Sequence, residues 1–224
     1  PVELRGRPGA VVMHVNVTDR KERELTLWRG ANYDALTEIP NRVLLLDRLS
    51  QAISQAKRSG SLVALLFIDF DRFKLVNDLL GHAAGDEILR TIAQRLTACL
   101  REQDTVGRIS GDEFLVILPN LKRPDEALTV ARKLMAATAH PIDYNGQETF
   151  ITCSIGIAVA PDDSDDPEQL VRYADAAMYR SKQSGRNHVH FYTGDVQIGS
   201  AERLQLEADL RRALERREFV IHYQ

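Results

Sequence analysis

Residues 62–68, Leu-Val-Ala-Leu-Leu-Phe-Ile, form the longest uninterrupted apolar run of the chain, and they lead directly into Asp69-Phe70-Asp71. A strand with one wet face alternates polar and apolar residues; a run without alternation fits a central strand buried by helices on at least one face of its sheet. The run is far too short to span a bilayer. The acids that close it are delivered to the end of the sheet, where ligands of such folds commonly bind.

A second feature answers it. In residues 105–118 two β-branched, apolar stretches flank Ser110-Gly111-Asp112-Glu113, which reads as a hairpin with two adjacent carboxylates at its tip. By itself such a tip is an ordinary polar turn, since Gly and Asp favour turns for backbone reasons. If this hairpin pairs with the 62–70 strand, Asp69 and Asp112 face one another, and like charges held that close need a cation or a proton between them. Oxygen-only ligands point to Mg²⁺ or Mn²⁺, which accept two or three protein ligands when phosphate and water complete the shell.

The remaining punctuation supplies the frame. Pro40 suits the first position of a helix that buries Leu46, Leu49, Ile53 and Ala56 and stops at Ser59-Gly60. A short helix through Phe73 and Asp78 ends at Gly81. A longer one from about Ala83 to Leu100 buries Ile88, Ile92, Leu96 and Cys99 or Leu100. Beyond the hairpin, Pro124 opens a helix to about Ala139, residues 148–160 read as one long strand, Pro167 opens a helix to Ser184, and residues 188–192 close as a strand. The order β, αα, ββ, α, β, α, β predicts an α+β, or mixed α/β, fold with an antiparallel hairpin inserted in a helix-covered sheet.

Ser110-Gly-Asp-Glu-Phe114 resembles the Gly-Gly-Asp-Glu-Phe signature of diguanylate cyclase (GGDEF) domains, with serine for the first glycine. Asp69-Phe-Asp-Arg-Phe-Lys-Leu-Val-Asn-Asp78 resembles that family's metal- and GTP-binding stretch. Asp34-Ala-Leu-Thr-Glu-Ile-Pro-Asn-Arg42 resembles the segment that opens its domain, and Gly81-His-Ala-Ala-Gly-Asp86 its next landmark. The resemblance covers about residues 34–193. It implies a mostly antiparallel, palm-like sheet similar to that of adenylyl cyclases, and condensation of two GTP into cyclic di-GMP and pyrophosphate by a homodimer.

The resemblance further implies that Asp69, the carbonyl of Phe70 and Asp112 hold two Mg²⁺ (or Mn²⁺), with Glu113 assisting the second ion or the proton transfer. Phe73 and Lys74 would meet phosphate at a helix start, helped by Gly111 at the hairpin tip. Lys182 and Arg186 would reach the β- and γ-phosphates, although as plain sequence they are basic residues complementing a helix C-terminus. Asn77 and Asp86 match the guanine-reading pair. Arg101-Glu-Gln-Asp104 has the spacing of the family's Arg-x-x-Asp site, where product binds and inhibits. Asp71 is read as a turn or capping acid rather than a ligand. If position 110 needs a left-handed backbone, serine costs about 1–2 kcal/mol there.

Flanking segments carry weaker resemblances. Residues 10–17 read as a short strand without partners, and Asn16-Val-Thr-Asp-Arg-Lys-Glu22 resembles the exit of a PAS sensory domain. Residues 1–17 are thus expected to be a PAS-like remnant and 18–33 a signalling helix with Leu25, Trp28 and Ala31 or Asn32 near one face. A linker helix is expected over 194–209, and residues 210–224 resemble the start of an EAL phosphodiesterase domain. The formal charge of −3 offers no field for a nucleic-acid polymer, and two cysteines in apolar stretches, read as buried and reduced, fit the cytoplasm.

Overall fold

A computed structural model describes residues 2–4, 7–9 and 18–194. The strand expected at 10–17, the linker helix and the EAL-like segment lie outside the described residues. Strands β1 (Val2–Leu4) and β2 (Arg7–Gly9) form a small antiparallel hairpin. They are followed by α1 (Thr18–Asn32), α2 (Arg42–Ser59), β3 (Leu62–Phe70), α3 (Phe73–Leu80), α4 (His82–Cys99), β4 (Thr105–Ser110) and β5 (Glu113–Leu121). The chain continues through α5 (Asp125–Thr138), β6 (Ile142–Tyr144), β7 (Gln147–Thr149), β8 (Cys153–Ala160), α6 (Pro167–Gln183) and β9 (Val189–Phe191).

The central sheet has the order β4-β5-β3-β8-β9, antiparallel throughout except for the parallel pair β8–β9. The apolar run is its middle strand, and the period of two explains the run's lack of alternation. Ala64, Leu66, Ile68 and Phe70 pack toward Ile88, Ile92 and Leu96 of α4 and Leu134 of α5. Val63, Leu65 and Phe67 pack toward Leu45, Leu49 and Ile53 of α2 and Leu170 and Met178 of α6. Continuing the alternation, Asp69 emerges on the α6 face. No helix of the described residues is long and apolar enough to cross a membrane.

Four expectations are corrected. Pro40 lies outside α2: it bridges Tyr33, and Asn41 caps the helix by accepting from the N–H groups of Val43 (3.0 Å) and Leu44 (3.2 Å). A start at Arg42 turns Leu44 and Leu45 inward and leaves Leu46 only half-buried. The strand expected over 148–160 is divided: Asn145 and Gly146 (φ 53° and 81°) make a tight turn that pairs residues 147–149 with β6, whereas residues 153–160 pair with β3. Phe150 to Thr152 then leave the strand before β8 begins. Cys153 is buried, and burial pushes its thiol up to about 12, whereas Cys99 is half-buried at the end of α4.

Candidate active site

The acids gather at one end of the sheet. Asp69 stands opposite Glu113 in the β3–β5 register and opposite Ser154 in the β3–β8 register, so the two carboxylates leave the same face of neighbouring strands. Asp69 is only 7% exposed, and Lys182 of α6 donates to its Oδ2 from 2.6 Å. Burial pushes the Asp69 carboxyl up to about 6; the Lys182 bond and charge oppose this, and the charges of Asp112 and Glu113 add to it. Burial raises Asp112 as well, its own backbone N–H and the charge of Lys182 opposing and Glu113 adding. Like charges are therefore concentrated where water is scarce, and Lys182 is the cation that makes the cluster tolerable.

Among the described residues no group of three or more His, Cys, Asp and Glu side chains gathers closely enough to hold a metal by itself. Asp69, Asp112 and Phe70 line one cavity, and with Glu113 nearby the donors they would offer a metal are oxygens only. That set suits an ion such as Mg²⁺, which keeps part of its shell for substrate phosphate.

Asp69, Phe70, Phe73, Lys74, Asp112, Lys182 and Arg186 share one cavity of about 180 Å³, room for phosphate groups rather than a whole nucleotide. It opens at the start of α3, whose free N–H groups favour anions. Lys74 and Arg186 are exposed and enter no ion pair or hydrogen bond by their side chains among the described residues. Asn77 lies on the α4 side of α3, against Gly85: a Cβ at Gly85 would sit 1.9 Å from the Asn77 Oδ1. Only a glycine lets the amide lie this close to the backbone that carries Asp86.

At the hairpin tip the left-handed residue is Gly111 (φ 45°), while Ser110 is not among the residues with positive φ. The serine therefore carries no backbone strain, and its hydroxyl donates to Glu113 Oε2 at 2.6 Å. Arg101 and Asp104 form a compact turn between α4 and β4. Asp104 Oδ2 accepts from the Arg101 N–H (2.9 Å), the Asp104 N–H donates to the Arg101 carbonyl (3.0 Å), and the Arg101 side chain stands in solvent. The six residues of β4 put this turn roughly 20 Å from the hairpin tip.

Sequence reasoning missed the parts played by four residues. Arg108 donates from Nε to the Gly111 carbonyl (2.9 Å) and pairs with Asp34 (3.0 Å), tying the tip to the segment before α2. Burial raises Asp34, but hydrogen bonds from Thr37 and Arg108 outweigh it and hold the carboxyl below its usual range. Asp175 of α6 lies within electrostatic reach: burial pushes it up, Glu113 adds, and Lys182 opposes. Asp71, read as a turn acid, is a buried hub with three donors on it. Asp34 and Asp71 each lay in a segment that the sequence singled out, but their roles there were not legible.

The protein-family model described as "Diguanylate cyclase, GGDEF domain" matches residues 31–188. The bifunctional diguanylate cyclase/cyclic di-GMP phosphodiesterase MucR of Pseudomonas aeruginosa is 46% identical over 205 residues, covering 92% of this chain and 30% of that protein. The cyclic di-GMP phosphodiesterase NbdA of the same organism is 35% identical over 199 residues, covering 89% of this chain and 25% of that protein. The chain thus spans less than a third of either relative. The crystal structure of the GGDEF domain of TpbB (YfiN) from Pseudomonas aeruginosa superposes with a TM-score of 0.69 at 42% identity, covering 70% of this chain and 98% of that one.

Proposed function

This chain belongs to the GGDEF diguanylate cyclase family, and on that premise we propose that it condenses two GTP molecules into cyclic di-GMP with release of two pyrophosphates. The observation that carries this reading is the convergence of Asp69, Asp112, Glu113 and Lys182 on one sheet end beside a cavity edged by Lys74 and Arg186. Mg²⁺ or Mn²⁺ held by Asp69, the Phe70 carbonyl and Asp112 would supply charge neutralisation at the triphosphate and a more acidic ribose 3′-hydroxyl. Lys182 and Arg186 face the β- and γ-phosphates, with the start of α3, Lys74 and Gly111 completing the cradle. Glu113 accepts the 3′-proton or supports the second ion. Asn77 and Asp86 pair with the guanine edge, whose donor and acceptor pattern differs from that of adenine.

Two 3′-to-5′ bonds must form, so two such sites meet face to face in a homodimer. Product returns to Arg101 and Asp104 and holds the catalytic faces apart. In the longer protein a PAS-like sensor precedes and an EAL-like domain follows, and the GTP supply together with two unpaired cysteines suits the cytoplasm. Incubation with GTP and Mg²⁺, followed by chromatography, should yield cyclic di-GMP at a specific rate that climbs with protein concentration, while ATP yields nothing. A rate flat across dilution would remove the two-chain arrangement.

The kinship with NbdA, named as a phosphodiesterase, favours a second reading. There the domain senses GTP or cyclic di-GMP without turnover and regulates an adjacent EAL domain. GTP binding without any product would select it.

A further inference from the structure

Asp71 is 9% exposed and forms no ion pair among the described residues, yet its carboxylate is fully engaged. Oδ1 accepts from Ser154 Oγ at 2.7 Å, and Oδ2 accepts from Thr152 Oγ1 at 2.7 Å and from the Asn187 backbone N–H at 3.0 Å. Its own N–H donates to the Thr152 carbonyl at 2.9 Å. Three segments therefore meet on one residue: the end of β3, the start of β8, and the loop from α6 to β9.

That loop is held in an unfavourable shape. Arg186 and Asn187 are consecutive residues in the left-handed region, at φ 65° and 50°, which a side chain disfavours, the arginine more than the asparagine. Such a pair persists only where its surroundings fix it. The Arg186 N–H is tied back to the Ser181 carbonyl (3.1 Å), and the Asn187 N–H has the Asp71 carboxylate, a charge-assisted bond inside the protein. Arg186, on this turn, lines the cavity.

We propose that Asp71 is a positioning residue of the phosphate site: by pinning the Asn187 amide it holds the Arg186–Asn187 turn and so sets the aim of Arg186 into the cavity. This rests on the reading of Arg186 as a triphosphate contact. Asp71 also lines the cavity, but its two carboxylate oxygens are taken up by Ser154, Thr152 and the Asn187 N–H, so it acts through the loop.

The test is calorimetry, with Mg²⁺, of a GTP analogue whose α- and β-phosphorus are bridged by methylene, so that no pyrophosphate can leave. Asp71→Asn and Arg186→Ala should each weaken binding about tenfold, and the double variant should bind like Arg186→Ala alone, because both remove one interaction. Asn187→Gly, which adopts a left-handed backbone freely, should restore part of the affinity lost in Asp71→Asn. A double variant near a hundredfold weaker, or no rescue by glycine, overturns the proposal. Arg186→Ala binding like the parent removes the triphosphate reading first, and the proposal falls with it. Should Asp71→Asn not fold, amide hydrogen exchange in the parent decides: a protected Asn187 N–H supports the pin, and exchange as fast as in an open loop refutes it.

Discussion

The sheet end around Asp69 and the turn around Arg101 both set acids beside cations, and they are held in opposite ways. At the sheet end, burial raises Asp69 to about 6 and raises Asp112, with Lys182 as the nearest counter-charge. At the turn, burial also raises Asp104, but its carboxylate caps the Arg101 N–H, and a return bond from its own N–H closes the loop. In the first site three carboxylates share one close cation, Lys182. The second is complete without a ligand and keeps the Arg101 guanidinium free in solvent. Neutralising Asp69 or Asp112 should therefore move activity and stability in opposite directions, whereas truncating Arg101 should move ligand affinity alone.

The largest effect expected is at Asp112. Asp112→Asn should lower turnover by at least about 10³-fold, roughly 4 kcal/mol of transition-state stabilisation, by weakening the metals, while the metal-free protein melts no lower than the parent. Normal turnover with an undiminished melting shift from Mg²⁺ and GTP would show that Asp112 is no ligand.

Next in size is Arg101→Ala. Loss of a bidentate, charge-assisted contact should weaken cyclic di-GMP by about 1.5–3 kcal/mol in calorimetry and raise the product plateau, with the initial rate and melting point little changed. Equal affinity for parent and variant would remove the product site, and a melting shift would break the contrast between the two regions.

Asp69→Asn addresses stability by pH. The folded state binds this proton more tightly than the unfolded chain, so the parent loses stability as pH rises from about 4 through the Asp69 value of about 6. The asparagine variant lacks that slope. In chelator it should match the parent near pH 4 and exceed it above pH 6 by on the order of 2 kcal/mol, after allowing for solvent screening. Parallel stability curves for the two proteins would mean that burial of Asp69 is not what sets the sheet end apart.

Ser110→Gly should do least. Ser110 has no left-handed strain to relieve, so glycine removes only the bond to Glu113 and adds chain entropy, a loss of about 1 kcal/mol or less in a denaturant melt. Turnover should stay within a few-fold; a gain of a hundredfold or more would make serine the brake on the site.

Much of this was legible in the chain because its signals are local. The run at 62–68, the hairpin tip and the helix-opening prolines at 124 and 167 fall where the structure needs them. The departures at Pro40 and at residues 148–160 were also local: proline was given the first helical position although Asn41 beside it is a strong capping residue, and Asn145-Gly146 just ahead of residue 148 is a strong hairpin turn. Asp71 was underrated for another reason. Its partners Thr152, Ser154 and Asn187 are far away in sequence, the last by 116 positions.

The sequence by itself determined the buried central strand, the helices that cover it, and which acids stand at the sheet end, since a period of two or of 3.6 and a capping residue are written within a few positions. Tertiary structure alone decided that Asp69 faces α6 and meets Lys182, that Asn77 lies against Gly85, that Gly111 rather than Ser110 takes the left-handed backbone, and that Asp71 carries the Arg186 loop. Those outcomes depend on strand register and on how closely helices approach the sheet. Register and approach are set by packing between segments distant in the chain, and no local pattern encodes them.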